Sequence, residues 1–252
     1  MSKNAKPKGQ RTLVTFLLDR TGSMSSCKDA TIEAFNGYLD GLKEDGDALD
    51  FTFLQFDSVS LDKICVAENV SKVALLTSQT YQPRASTPLV DCAYKTIKAV
   101  EESLTKRDDK PKVVICIQTD GQENASIEHS MAELNALIKE KSALGWQFNF
   151  MGAGIDAYQQ GSLMGISAQA TMAYDQHSKT ATRAAFTASA SNTRMFARGE
   201  SANTSYSMGQ RAASGDAFAH RVFGPNAPAT GPQPSQKPAA VKKPKIVDDF
   251  AL

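Results

Sequence analysis

Cys27, Cys65, Cys92 and Cys116 are the four cysteines, and no two form a Cys-x-x-Cys pair, which removes zinc-knuckle and thioredoxin-like chemistry from consideration. An excess of either charge is also missing. Lys plus Arg total 28 against 27 Asp plus Glu, a net charge of +1, so nothing draws the chain as a whole to nucleic acid or to an acidic membrane. No Gly-x-x-x-x-Gly-Lys-Ser/Thr or Gly-x-Gly-x-x-Gly loop occurs, which excludes the usual phosphate cradles. Long apolar runs are absent too. The run from Leu13 to Leu18 is stopped by Asp19 and is too short to span a bilayer, and the stretch Met1 to Arg11 is polar and basic, unlike a secretory leader. A reducing, cytoplasmic setting is the expectation.

What the sequence does contain is a set of oxygen donors in turns. Asp19, Thr21 and Ser23 follow the apolar run directly, so one carboxylate and two hydroxyls leave the carboxyl end of a buried strand, where open α/β sheets place ligands. These are hard donors suited to Mg²⁺, Mn²⁺ or Ca²⁺. Taken alone, such a loop is also an ordinary polar turn. Two further segments decide between the readings. Thr87, in Ser86-Thr87-Pro88-Leu89, precedes an amphipathic stretch, with Pro88 placed at the first helical position. The run Val113 to Ile117 leads into Gln118-Thr119-Asp120-Gly121, again a buried strand ending in an acidic residue and a glycine that frees the backbone to turn. If these strands are parallel neighbours, Asp19 and Asp120 emerge side by side.

Strand and helix signals alternate from Thr12 to Arg198. The expected fold class is α/β and Rossmann-like: a mostly parallel six-stranded sheet with one antiparallel edge strand and helices on both faces. Phe35, Tyr38, Leu39 and Leu42 predict a helix over Lys28 to Lys43, ended with the help of Gly46; Leu49 to Phe56 reads as the second strand. The Val59 to Val66 stretch follows too closely for a crossover and is expected antiparallel. Leu89, Ala93, Ile97, Val100 and Leu104 form one apolar stripe, and Ile127, Met131, Leu134 and Ile138 mark a further helix carrying His129, with Ser126 as N-cap and Gly145 at its end. Trp146 to Gly152 and Gln169 to Tyr174 read as strands, Ala157 to Met164 and Lys179 to Arg198 as helices. Residues 1–11 are expected to be a flexible N-terminus, 12–198 the folded domain, and 199–252 a disordered Pro/Ala/Lys-rich tail, whose apolar and acidic end, Ile246 to Leu252, reads either as an unconstrained tail or as a docking peptide.

The three loops, in this order, resemble the von Willebrand factor A domain and its metal-ion-dependent adhesion site, of the stand-alone bacterial or phage type. The family's Asp-x-Ser-x-Ser is met by Asp19, Thr21 and Ser23, its second-loop threonine by Thr87, and its third-loop aspartate by Asp120. The resemblance implies Mg²⁺, with Mn²⁺ or Ca²⁺ as alternatives. It makes Thr21, Ser23 and Thr87 direct or near-direct ligands, with Asp19 and Asp120 acting partly through water. It also implies a binding or assembly module in which an Asp or Glu from a partner protein completes the coordination.

The alternatives are an adaptor for an ATPase machine, a virion or phage-assembly component, and a metal-dependent phosphoester hydrolase. Bound metal can activate water, but none of His129, His177 and His220 lies in the three loops, and no other base or nucleophile is evident. The chain is therefore expected not to be an enzyme. Glu123 is read as approaching the site or as favouring the N-terminal end of the next helix. Self-association is a further expectation, since a flexible chain of about 50 residues has an r.m.s. reach of roughly 35–40 Å and would let Asp248 or Asp249 reach a metal site on its own or a neighbouring subunit.

Overall fold

A computed structural model describes residues 10–44 and 48–224. Six strands, β1 (Thr12–Asp19), β2 (Leu49–Phe56), β3 (Leu61–Asn69), β4 (Lys112–Thr119), β5 (Gln147–Ala153) and β6 (Thr171–Tyr174), form one sheet in the order β3-β2-β1-β4-β5-β6. All neighbours run parallel except β3, which pairs antiparallel with β2. The chain goes from β1 outward to β2 on one side and returns to place β4 on the other. The carboxyl ends of β1 and β4 therefore flank the point where strand order reverses, the usual ligand crevice of open sheets.

The helices are α1 (Lys28–Lys43), α2 (Leu89–Thr105), α3 (Met131–Ala143), α4 (Ala157–Met164), α5 (Lys179–Arg198), α6 (Met208–Ala213) and α7 (Ala219–Phe223). Strand side chains alternate between the sheet faces, and β1 shows the result. Val14, Phe16 and Leu18 join one core cluster with Phe35, Tyr38 and Phe186 from α1 and α5, whereas Leu13 and Leu17 join the other with Leu89, Ile97, Leu134 and Ile138 from α2 and α3. Phe16 stacks edge-on against Phe35 at 5.2 Å between ring centres, and Phe35 lies on Phe53 at 4.3 Å. Burying each such ring contributes about 1.5–3 kcal/mol, so both faces of β1 are anchored before its end reaches Asp19. No helix among the described residues is long and apolar enough to cross a membrane.

Several expectations are corrected. The helix after Asp120 starts at Met131, capped by Ser130 in a reciprocal pair with Glu133, and not at Ser126. The buried Asp91 carboxylate accepts the N–H groups of Ile127 (2.7 Å), Glu128 (3.1 Å) and His129 (2.7 Å), satisfying them outside a helix. His129 accordingly lies in a loop, stacked on Tyr94. Pro88 takes the N-cap position of α2 and not its first helical position. Gln10 and Arg11, expected within a flexible terminus, are held by Lys110 and Asp50 respectively; residues 1–9 and Gly46 lie outside the described residues.

The largest correction concerns the tail. Residues 199–224 are ordered, and they lie along the outer edge of β6. Tyr206 N–H donates to Gln169 O at 2.8 Å, Asp175 N–H to Ser214 O at 3.1 Å, and Ala173 N–H to the Asp216 carboxylate at 3.2 Å. Arg211, 1% exposed, donates to Ala168 O and Gln169 O at 3.0 Å each, and also to Tyr158 Oη and Thr171 O. Its guanidinium lies 4.6 Å from the centre of the Phe223 ring. One arginine held by carbonyls and aromatic rings thus organises a segment too poor in aliphatic residues to read as folded. The remainder of the expected tail, with its peptide Ile246 to Leu252, lies outside the described residues.

Candidate metal centre

Asp19 closes β1 with its side chain fully buried. One carboxylate oxygen accepts the Thr21 N–H at 2.6 Å, the other accepts the Thr119 hydroxyl, and the backbone oxygen of Asp19 accepts the Tyr81 hydroxyl at 2.6 Å. Thr21 then occupies the N-cap position of a 3-10 turn, Gly22–Cys27, yet its hydroxyl caps nothing. That hydroxyl is directed at the site: it lies 3.3 Å from Ser23 Oγ and accepts a hydrogen bond from Thr87 Oγ1 at 3.2 Å. Ser23 Oγ donates to Asp120 at 2.6 Å. All five residues singled out in the sequence, Asp19, Thr21, Ser23, Thr87 and Asp120, are therefore brought together. Four are buried and Ser23 is exposed, so the cluster opens to solvent on the Ser23 side.

The loops are fixed to one another by backbone pairs. Gly22 N–H donates to Ala85 O at 3.0 Å, and Arg84 N–H to Arg20 O at 2.9 Å. Asn124 closes on Thr87 from the third loop, its N–H donating to Thr87 O at 3.1 Å and its side chain accepting the Thr87 N–H at 2.9 Å. A Cβ on Gly121 would stand 3.0 Å from Thr87 Oγ1 and 3.7 Å from Ser23 Oγ, so the absence of a side chain there is what lets the second and third loops meet.

Thr119, Tyr81 and Asn124 were not singled out in the sequence. Thr119 had a signal, since it precedes Asp120 and lies in register to face Asp19; Tyr81 and Asn124 had none. Glu123 does not enter the site. Its carboxylate accepts the N–H groups of Val90 (2.7 Å), Ala125 (2.9 Å) and Ser126 (2.7 Å), serving the start of α2 and not that of the following helix.

The electrostatics of the cluster are one-sided. Burial pushes the Asp19 carboxyl up to about 6, the nearby Asp120 charge adds to this, and the hydrogen bonds from Thr119 and Thr21 act against it. Burial raises the Asp120 carboxyl as well, opposed by the Ser23 hydroxyl. Among the described residues no lysine, arginine or histidine pairs with either carboxylate. Two buried acids without a cationic partner are costly, and three adjacent hydroxyls add neutral oxygen donors. This donor set fits a hard divalent cation. No group of three His, Cys, Asp or Glu side chains able to hold a metal occurs among the described residues, so hydroxyls would have to supply much of the coordination.

No family model and no curated protein sequence matches the chain. Solved structures do. A von Willebrand factor type A protein from Catenulispora acidiphila superimposes with a TM-score of 0.51 at 14% identity, over 73% of this chain and 42% of that one. The fold is that of a von Willebrand factor A domain. The pilus adhesin SpaC from Lactobacillus rhamnosus GG gives a TM-score of 0.52 at 16% identity, over 75% of this chain and 31% of that one. Proximal thread matrix protein 1 from the mussel byssus gives 0.51 at 12% identity, over 71% and 47%. The matched regions are less than half of each of these proteins. The likeness carries the von Willebrand factor A fold alone.

Proposed function

We infer that this von Willebrand factor A domain is a divalent-cation-dependent protein-binding or assembly module. The observation that carries the reading is the convergence, from three loops, of two buried carboxylates without a cationic partner and three hydroxyls, open on the Ser23 side. Thr21, Ser23 and Thr87 would hold Mg²⁺, or Mn²⁺ or Ca²⁺ in its place, with Asp19 and Asp120 supplying the negative charge. Bound there, the cation supplies Lewis acidity toward an anionic oxygen. A cation held largely by neutral hydroxyls keeps much of its positive charge, so the partner group is an Asp or Glu, captured in a charge-assisted contact.

Binding is favoured over hydrolysis because among the described residues no histidine is bonded to the site oxygens: His129, at the far end of the loop that begins with Asp120, is stacked on Tyr94. The Asp248 and Asp249 pair of the same chain is one source of such an acid. An adaptor for an ATPase machine and a virion or phage-assembly component are both partners' settings for the same binding chemistry.

Calorimetric titration with Mg²⁺ and Mn²⁺ tests the reading. The wild type is expected to take up one cation, and Asp19→Ala and Asp120→Ala are expected to lose it. Capture of a partner is expected to disappear on addition of EDTA. Turnover of phosphate esters that vanishes in Asp120→Ala would replace the binding reading by the hydrolase.

A further inference from the structure

Both loops that supply the ligand hydroxyls also carry an arginine. Arg20 lies between Asp19 and Thr21, and Arg84 three residues before Thr87. A guanidinium cannot discharge in a protein, and two of them left free beside a divalent cation would oppose its binding. Neither is free. Arg20 Nε and NH2 lie 3.0 and 2.8 Å from Asp57 Oδ2, and its NH1 lies 2.7 Å from Asp62. Arg84 Nε lies 2.9 Å from the same Asp57 oxygen. Both arginines also donate to Ser60 Oγ, at 3.0 and 3.1 Å.

Asp57 itself is over-determined. Its second oxygen accepts the N–H groups of Val59 (2.7 Å) and Ser60 (2.9 Å). Burial works against its charge, but the hydrogen bonds from Arg84, Ser60 and Val59 and the charge of Arg20 outweigh burial and hold the carboxyl below its ordinary range. The turn that carries it, between β2 and β3, is tied to both hydroxyl loops through the backbone. Arg20 N–H donates to Phe56 O at 2.8 Å, and Ser58 N–H to Ser86 O at 3.0 Å.

The geometry points to Asp57 as a positioning and screening residue of the cation site, with the turn between β2 and β3 acting as its fourth loop: one buried carboxylate draws two arginines away from the cation and fixes the first two loops against each other. This rests on the cation reading above. It adds a determinant that touches none of the five ligand candidates.

The test uses the full chain, with Mg²⁺ and Mn²⁺ calorimetry beside thermal melting. Asp57→Asn keeps the shape and removes the charge, and cation affinity is expected to fall about tenfold or more. Adding Arg84→Gln is expected to recover most of that affinity, although the double variant has lost one more contact and melts no higher. A merely structural Asp57 would give lower melting with unchanged cation affinity, or a deeper loss in the double variant; either result overturns the proposal. Should Asp57→Asn fail to fold, Asp62→Asn alters only a half-exposed partner of Arg20; affinity is expected to fall about threefold, and an unchanged value overturns the screening role. A wild type that takes up no cation overturns the underlying reading, whereas wild-type uptake with an indifferent Asp57→Asn overturns the screening role alone.

Discussion

Gly121 shows how much one hydrogen atom in place of a methyl decides at the residue scale. A Cβ there would stand only 3.0 Å from the Thr87 hydroxyl, so an alanine is expected to push Thr87 out of line. Gly121→Ala is expected to reduce cation affinity about tenfold, roughly 1.4 kcal/mol, with little change in the melting of the cation-free protein; calorimetry beside a thermal melt checks both halves. The positions of Asp19, Thr21, Ser23, Thr87 and Asp120 were legible in the sequence because each follows or precedes an element whose apolar pattern is strong. What was not legible is how they are held. Tyr81 reaches Asp19 across 62 residues of chain, and Asn124 meets Thr87 across 37, separations for which local patterning offers no signal. The arginines behave likewise: their sequence neighbours are the ligand candidates, but their partners come from a different turn.

Several elements kept the bounds read from composition and spacing, even where the apolar stripe was weak. The helices over Lys28 to Lys43 and Lys179 to Arg198 form as expected, and β2 covers Leu49–Phe56. Failures fall where a polar side chain from elsewhere outcompetes the local signal. Asp91 takes the N–H groups that Ser126 was expected to help organise, and so delays α3 by one turn. Arg211 is the second such case. It supports α6, α7 and the edge of β6 from one buried position, facing the buried Asp216 at 3.6 Å. Removing one member of a buried charged pair costs about 3–5 kcal/mol, and Arg211→Met is expected to lower stability by that order in urea denaturation. Hydrogen exchange should rise first in Thr171–Tyr174, because the substitution removes the donors serving Ala168, Gln169 and Thr171.

For the molecule as a whole, acid sensitivity follows from arginine-paired carboxylates that are not among the five ligand candidates. Burial opposes ionisation of Asp50, but hydrogen bonds from Arg11 and Arg107 and their charges outweigh it, so its carboxyl titrates below its ordinary range. Asp57 does the same. Because the folded values lie below the unfolded ones, near 3.9, the native state binds fewer protons than the unfolded chain in this window. The stability these pairs contribute is fully present above about pH 5 and is lost as pH falls through the folded values. Urea midpoints measured at fixed low salt are expected to drop between pH 5 and pH 3, and the drop should shrink in Asp50→Asn.

The covering of β6 by residues 199–224 also fixes where the molecule can be cut. A fragment ending at Arg198, the boundary that composition alone suggests, would bare the N–H of Ala173, the carbonyls of Gln169 and Thr171, and the face of Tyr158 that meets Arg211, Asp216 and Phe223. A bare strand edge recruits other strands. Such a fragment would pair edge to edge with its own copies and be lost to aggregates, whereas one carried through to Gly224 would keep the sheet sealed on that side.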